Sequence, residues 1–198
     1  MQKRALETKA AILKHAVDEF SEKGLHGGRV DAIAERAGVN KQRIYAYYEN
    51  KDKLFEAVLH HCFLEIRQRE AEGLNLQSIT YKELTEALLD NYFKLHRDFP
   101  HLWRIIAWEN LEGGNHAHVL TNIKAKFFKE VQAIFNEGKK ASYFPEDVNF
   151  ETYMFTVFSV TGFYFSNQKT LKHSLSAKLF TKKNQQNISQ QILSLLGG

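Results

Sequence analysis

Apolar residues along this chain recur with the 3.6-residue period of helices that bury one face, and no stretch alternates as a half-buried strand does. The pattern predicts an all-α fold of about nine helices. The first covers residues 3–22, with Leu6, Leu13, Val17 and Phe20 on one face and Gly24 as its stop. A second covers 29–37, with Gly28 as N-cap and Val30, Ile33, Ala34 and Ala37 inward. A third covers 41–48 behind Asn40, a good N-cap. A fourth, 51–72, is long and ends at Gly73. Further helices are predicted at 80–97, at 100–112 closed by Gly113 and Gly114, and at 116–137. Residues 147–167 are apolar nearly all round, so that helix is expected to be buried on more than one side. A polar, Lys-rich stretch, 168–186, is predicted without a helix. The last helix, 185–196, carries Ile188, Ile192, Leu195 and Leu196 on one side. The division falls near residue 50, giving domains of 1–50 and 51–198.

Composition adds little to this picture. A hydrophobic fraction of 43% supports a real core, and the net charge is +4. Residues 1–60 carry 11 Lys/Arg against 9 Asp/Glu, so the excess is not concentrated there and local placement of charge is what matters. Cys62 is the only cysteine, which excludes an internal disulfide. The first residues lack the apolar core of a signal peptide, and the apolar stretch 153–165 is short of the roughly 20 residues that span a bilayer. A soluble cytoplasmic protein with no membrane partner is expected.

The chemistry concentrates in residues 30–53. A short helix, a turn at Gly38 and a second helix rich in cations, an amide and tyrosines make a helix-turn-helix, the element that lays its second helix in the DNA major groove. On a helical wheel Ile44 and Tyr48 share the face that docks on the first two helices. Gln42, Arg43 and Ala46 are then presented outward, with Lys41, Tyr45 and Tyr47 on the flanks. Arg43 suits guanine and Gln42 adenine, each through paired hydrogen bonds, while Ala46 leaves room for close approach or meets a thymine methyl. Tyr45 and Tyr47 can donate to phosphate oxygens. Lys51 and Lys53 stand at the start of the fourth helix, and Arg29 at the start of the second, where backbone N–H groups also attract phosphate. With the N-cap Asn40, these residues form the candidate interface with double-stranded DNA.

Residues 8–56 resemble the N-terminal domain of TetR-family transcriptional repressors. The resemblance rests on Ile12, Leu13 and Phe20 followed by Glu22-Lys23-Gly24, then Ile33-Ala34 and Ala37-Gly38-Val39. Lys41, Ile44-Tyr45, Tyr48, Asn50, Lys51 and Leu54 complete it. It implies Tyr45, Tyr47 and Lys51 on phosphates, with Gln42 and Arg43 nearest the bases. Two departures stand out. Gly28-Arg29 replaces a usual pair of Ser/Thr residues, and Gln42-Arg43 replaces a usual small residue followed by Thr, Ser or Pro. The second implies a different operator sequence.

The resemblance further implies that the remaining helices dimerise and hold a small ligand. The 147–167 and 185–196 helices would pair with their copies across a twofold axis, through Ser159, Gly162, Ser166, Ile188, Ile192 and Leu195. Tyr92, His96, Trp103, Trp108, Phe128, Phe155 and Phe158 are candidates for an apolar ligand cavity. Asn91, Glu109 and Asn110 are further polar candidates. The expectation is a homodimeric repressor that a small molecule releases from a near-palindromic operator. The alternatives are a DNA-binding regulator without a ligand, and a helical ligand carrier that has lost DNA binding. No catalytic motif is present, and no cofactor is expected. His60, His61 and Cys62 are adjacent on a helix and point about 100° apart, so no metal site is expected there. His116 and His118 lack a third ligand at useful spacing.

Overall fold

The computed structural model describes residues 2–196, and among these the chain is helical with no strand. The helices are α1 (Gln2–Gly27), α2 (Val30–Arg36), α3 (Lys41–Tyr48), α4 (Lys51–Gly73), α5 (Leu84–Asp98), α6 (Pro100–Leu111), α7 (Ala125–Lys140), α8 (Phe150–Ser166), α9 (Gln168–Leu171) and α10 (Lys182–Leu196). The chain divides into two compact units. One is the chain up to Gln68 with Phe99–Ile123, and the other is Arg69–Asp98 with the chain from Lys124 onward.

In the first unit α1 packs on α2 and α6. Ile12, Ala16 and Phe20 of α1, Ile33 of α2, Ile44 of α3, Leu54, Phe55 and Val58 of α4, and Leu102 and Ile105 of α6 close one core. Each of the Ile, Leu, Phe and Val side chains contributes about 1.5–3 kcal/mol when fully buried. The inward face of α1 includes the predicted Val17 and Phe20, with Leu13 packed against the core, but Leu6 is exposed and Ile12 and Ala16 join the buried positions. The regular helix of α1 ends at Gly24 as predicted, where the backbone turns to φ 69, ψ −175, and a further helical turn follows to Gly27. Only glycine tolerates this: a Cβ would add to the left-handed strain and lie 2.8 Å from the Trp108 ring and 2.5 Å from Glu112 Oε1. Glu112 accepts from the Leu25 and His26 backbone N–H groups at 2.9 and 3.2 Å. Trp108 Nε1 donates to the Ser21 carbonyl at 3.2 Å.

In the second unit α5 packs on α8 and α10. Leu84, Leu88 and Tyr92 of α5, Phe127, Val131 and Phe135 of α7, and Tyr153, Val157 and Tyr164 of α8 are buried. Helix α5 opens at Leu84 rather than residue 80, after a turn over 81–83 in which Glu83 Oε2 accepts from Thr80 N and Thr80 Oγ1. The predicted helix over 116–137 is shorter than expected. Residues 117–120 form a 3-10 turn, and α7 begins only at Ala125. The polar stretch 168–186, predicted without a helix, is helical: α9 runs into a π turn at 172–176, a 3-10 turn at 177–180 and the start of α10. Within one chain α8 is covered on one side only, with Phe155 70% and Phe163 57% exposed. The side chain of Leu196 lies outside the described residues.

Candidate nucleic-acid interface

One buried carboxylate holds the reading pair from beneath. Glu19 of α1, 1% exposed, accepts from Lys23 Nζ at 2.9 Å and from the Arg29 backbone N–H at 3.0 Å, and it pairs with the Arg36 guanidinium. Burial alone would raise its pKa, but the donors outweigh burial and hold the carboxyl below the usual glutamate range. Arg29 is the N-cap residue of α2 and Arg36 its last residue, so Glu19 fixes both ends of that helix. Arg29, not Gly28, is therefore the cap, and the bond to its N–H comes from α1.

The turn into α3 passes through Gly38 at φ 65, a left-handed backbone that glycine adopts without penalty. The α3 start is capped as predicted, with Asn40 Oδ1 accepting from Arg43 N at 2.8 Å. Ile44 and Tyr48 point into the core, and burial raises the Tyr48 hydroxyl to about 12, so it stays protonated. The remaining turns face outward. Arg29, Asn40, Lys41, Gln42, Arg43 and Ala46 are exposed, and Tyr45, Tyr47 and Lys51 are half-buried. Lys41 pairs with Asp31 at 3.1 Å, an exposed contact of little weight. The Arg43 guanidinium lies 5.6 Å from the Tyr47 ring centre and donates to its hydroxyl at 3.4 Å. Lys51 Nζ donates to the His26 carbonyl at 3.2 Å, which places its ammonium beside the end of α1. Lys53 is held by Glu56 at 2.7 Å.

Arg4 and Thr8 were not singled out by the sequence. With Gly38, Val39, Asn40 and Arg43 they border a surface depression of about 740 Å³. In sequence Arg4 is one cation among many, and only the fold brings the start of α1 to the head of α3.

The ligand candidates separate. Tyr92, Phe128 and Phe158 gather, with Tyr92–Phe158 ring centres 5.1 Å apart and Phe128–Phe158 6.3 Å apart. His96 is buried in the same unit and stacks on Phe165 at 5.5 Å. Burial, then the positive Lys124, pushes it down to about 4. Trp103 and Trp108 belong to the first unit, where Trp103 packs on its core and Trp108 on Gly24. Glu109 of that unit accepts from His116 N at 2.5 Å and contacts its ring. Asn91 is buried, Asn110 is exposed, and Phe155 faces outward. Of the dimer candidates, Ser166 and Leu195 are exposed, Ser159, Gly162 and Ile192 are half-buried, and Ile188 is buried within its own chain.

Among the described residues no three His, Cys, Asp or Glu side chains gather to hold a metal ion. Cys62 is fully buried and its thiol is pushed up to about 12 by burial and then by Glu65. No described helix is long and apolar enough to cross a membrane.

Comparison with known proteins supplies the context for this geometry. Residues 12–58 match the model of the bacterial regulatory proteins, tetR family, and residues 82–196 match that of the tetracyclin repressor-like C-terminal domain. The HTH-type transcriptional repressor NicS of Pseudomonas putida is 32% identical over 186 residues, covering 91% of this chain and 86% of that protein. The HTH-type transcriptional repressor SCO4008 of Streptomyces coelicolor is 38% identical over 107 residues, about half of each chain. Among solved structures, the transcriptional regulator FadR from Bacillus subtilis in complex with stearoyl-CoA aligns at a TM-score of 0.67 and 21% identity, covering 95% of this chain and 97% of that one. Salmonella enterica GusR aligns at 0.68 and 18%, covering 96% of each chain. At these identities the two structures speak for the fold.

Proposed function

The chain belongs to the tetR family of bacterial regulatory proteins, and from that premise we propose that it is a homodimeric, sequence-specific transcriptional repressor released from its DNA operator by a small molecule. The observation that carries the reading is the split of α3. Ile44 and Tyr48 are buried while Gln42, Arg43 and Ala46 are exposed on the opposite side. A helix so divided presents a bidentate guanidinium and a carboxamide to base edges, with Tyr45, Tyr47 and Lys51 on the phosphates. Asn40 sets the N-terminus of α3, and Arg29 and Lys41 add charge along the same rim.

Residues 1–50 are assigned to DNA reading and 51–198 to ligand binding and dimerisation, acting in the cytoplasm. Two copies related by a twofold axis read two half-sites, and operator symmetry mirrors protein symmetry. The ligand acts by favouring the conformation that binds DNA poorly, a coupling typically of about 1–3 kcal/mol. Tyr92, His96, Phe128 and Phe158, grouped in the second unit, support a ligand site there. The NicS and SCO4008 relatives, both named as repressors, support negative regulation.

The test is selection of bound sequences from a random DNA pool with the purified protein. Recovery of one inverted repeat is the expected result. Recovery of no sequence above the starting pool would sink the reading.

A further inference from the structure

We propose that Lys124 occupies a built site for an organic cation, and that the small molecule releasing this regulator is a lipophilic ammonium compound that takes the place of the Lys124 side chain. The inference rests on the ligand-responsive reading above and names the class of ligand.

The ammonium of Lys124 lies 5.3, 5.5 and 6.0 Å from the ring centres of Phe158, Tyr92 and Phe128. It pairs with Oε1 of Glu70, which also accepts from the Tyr92 hydroxyl at 2.6 Å. Three aromatic rings around a positive nitrogen, closed by a carboxylate, is the constellation that holds alkylated ammonium groups. Its members come from α4, α5, α7 with its N-cap residue, and α8, all within the second unit.

One feature sets this apart from a settled ion pair. Glu70 is fully buried, yet its Oε2 has no hydrogen-bond partner among the described residues. Buried polar atoms are ordinarily satisfied, and an open carboxylate oxygen in an apolar setting invites a positive donor. An anionic ligand is disfavoured. The charge of Lys124 is already neutralised by Glu70, and the ring faces around it are negative. His96, held neutral by burial and by Lys124, offers no second positive charge.

Entry of a cation costs the displacement of Lys124, and that displacement has a consequence for the fold. Lys124 is the N-cap residue of α7 and its side chain makes no capping bond, so release of that side chain removes the tie between the start of α7 and Glu70 of α4.

The test titrates choline, and its neutral analogue with carbon in place of the quaternary nitrogen, against the full chain by calorimetry. Wild type, Lys124→Ala and the double variant Lys124→Met/Glu70→Gln are compared. Lys124→Ala opens the cage and is expected to bind choline about tenfold more tightly than wild type, with the neutral analogue bound by neither. The double variant removes both charges, a replacement that buried pairs tolerate, and is expected to fold and to ignore choline. Equal binding of choline and its analogue, or no tightening in Lys124→Ala, would overturn the proposal. Benzoate binding that depends on Lys124 would also overturn it, by making the site anionic. Retention of the selected operator is measured on the same samples. Loss of DNA binding by ligand-free wild type sinks the regulator reading, whereas intact DNA binding with no choline response sinks only the cage.

Discussion

Arg43 shows how one side chain is prepared for its role. Its backbone N–H is used in the Asn40 cap, so α3 begins at a fixed point, and its guanidinium rests over Tyr47. Arg43→Ala is expected to cost roughly 1–3 kcal/mol on the selected operator and to relax preference at one base position per half-site. Competition binding with operator variants reads this, and equal loss on every sequence would move Arg43 to the phosphates. His96 carries a different signal. Its folded pKa, about 4 against an ordinary 6.5, means that the unfolded chain takes a proton which the folded chain refuses. The associated stability is whole above pH 6.5 and drains as pH falls toward 4. Between pH 7 and 5 the loss from this residue is about 2 kcal/mol. Urea unfolding at the two values is expected to show that loss in wild type and not in His96→Gln.

Among the elements, the end of α1 is tightly constrained. Gly24→Ala would force a Cβ into a left-handed backbone and against Trp108 and Glu112, and is expected to destabilise by about 2 kcal/mol or more. An unchanged denaturation midpoint would show that the bend relaxes. The contrast between α3 and its surroundings explains what could be read without coordinates. Helix α3 is defined locally, by Asn40 before it and by Ile44 and Tyr48 a turn apart, and its boundaries match those predicted. The 116–137 prediction failed at its start because the Glu109 carboxylate binds the backbone and ring of His116, and a 3-10 turn follows. The helicity of 168–180 was marked only by Leu171, Leu175 and Leu179 at four-residue spacing, set among polar and Lys-rich residues that hid it. Glu19 was legible only as an i,i+4 partner of Lys23; its hold on Arg29 and Arg36 needed the packing of α1 against α2.

For the molecule as a whole, the outward face of α8 is where pairing is proposed. Phe155 and Phe163 are large, apolar and open, and Leu195 of α10 is 85% exposed. Changing both Phe155 and Phe163 to Lys is expected to leave the helical content intact and convert the protein to a monomer by sedimentation. The monomer should then bind an isolated half-site as wild type does and lose the extra affinity for the full repeat. A variant that remains dimeric would place the interface elsewhere.

The burial of Cys62 has a practical corollary. Its thiol is enclosed and protonated, so a maleimide dye finds no native target on the folded chain. Glu35→Cys would then supply a single addressable sulfur at an exposed position of α2, outside the residues assigned to DNA contact. A fluorophore there is expected to report operator docking directly, with unaltered wild type serving as the unlabelled blank.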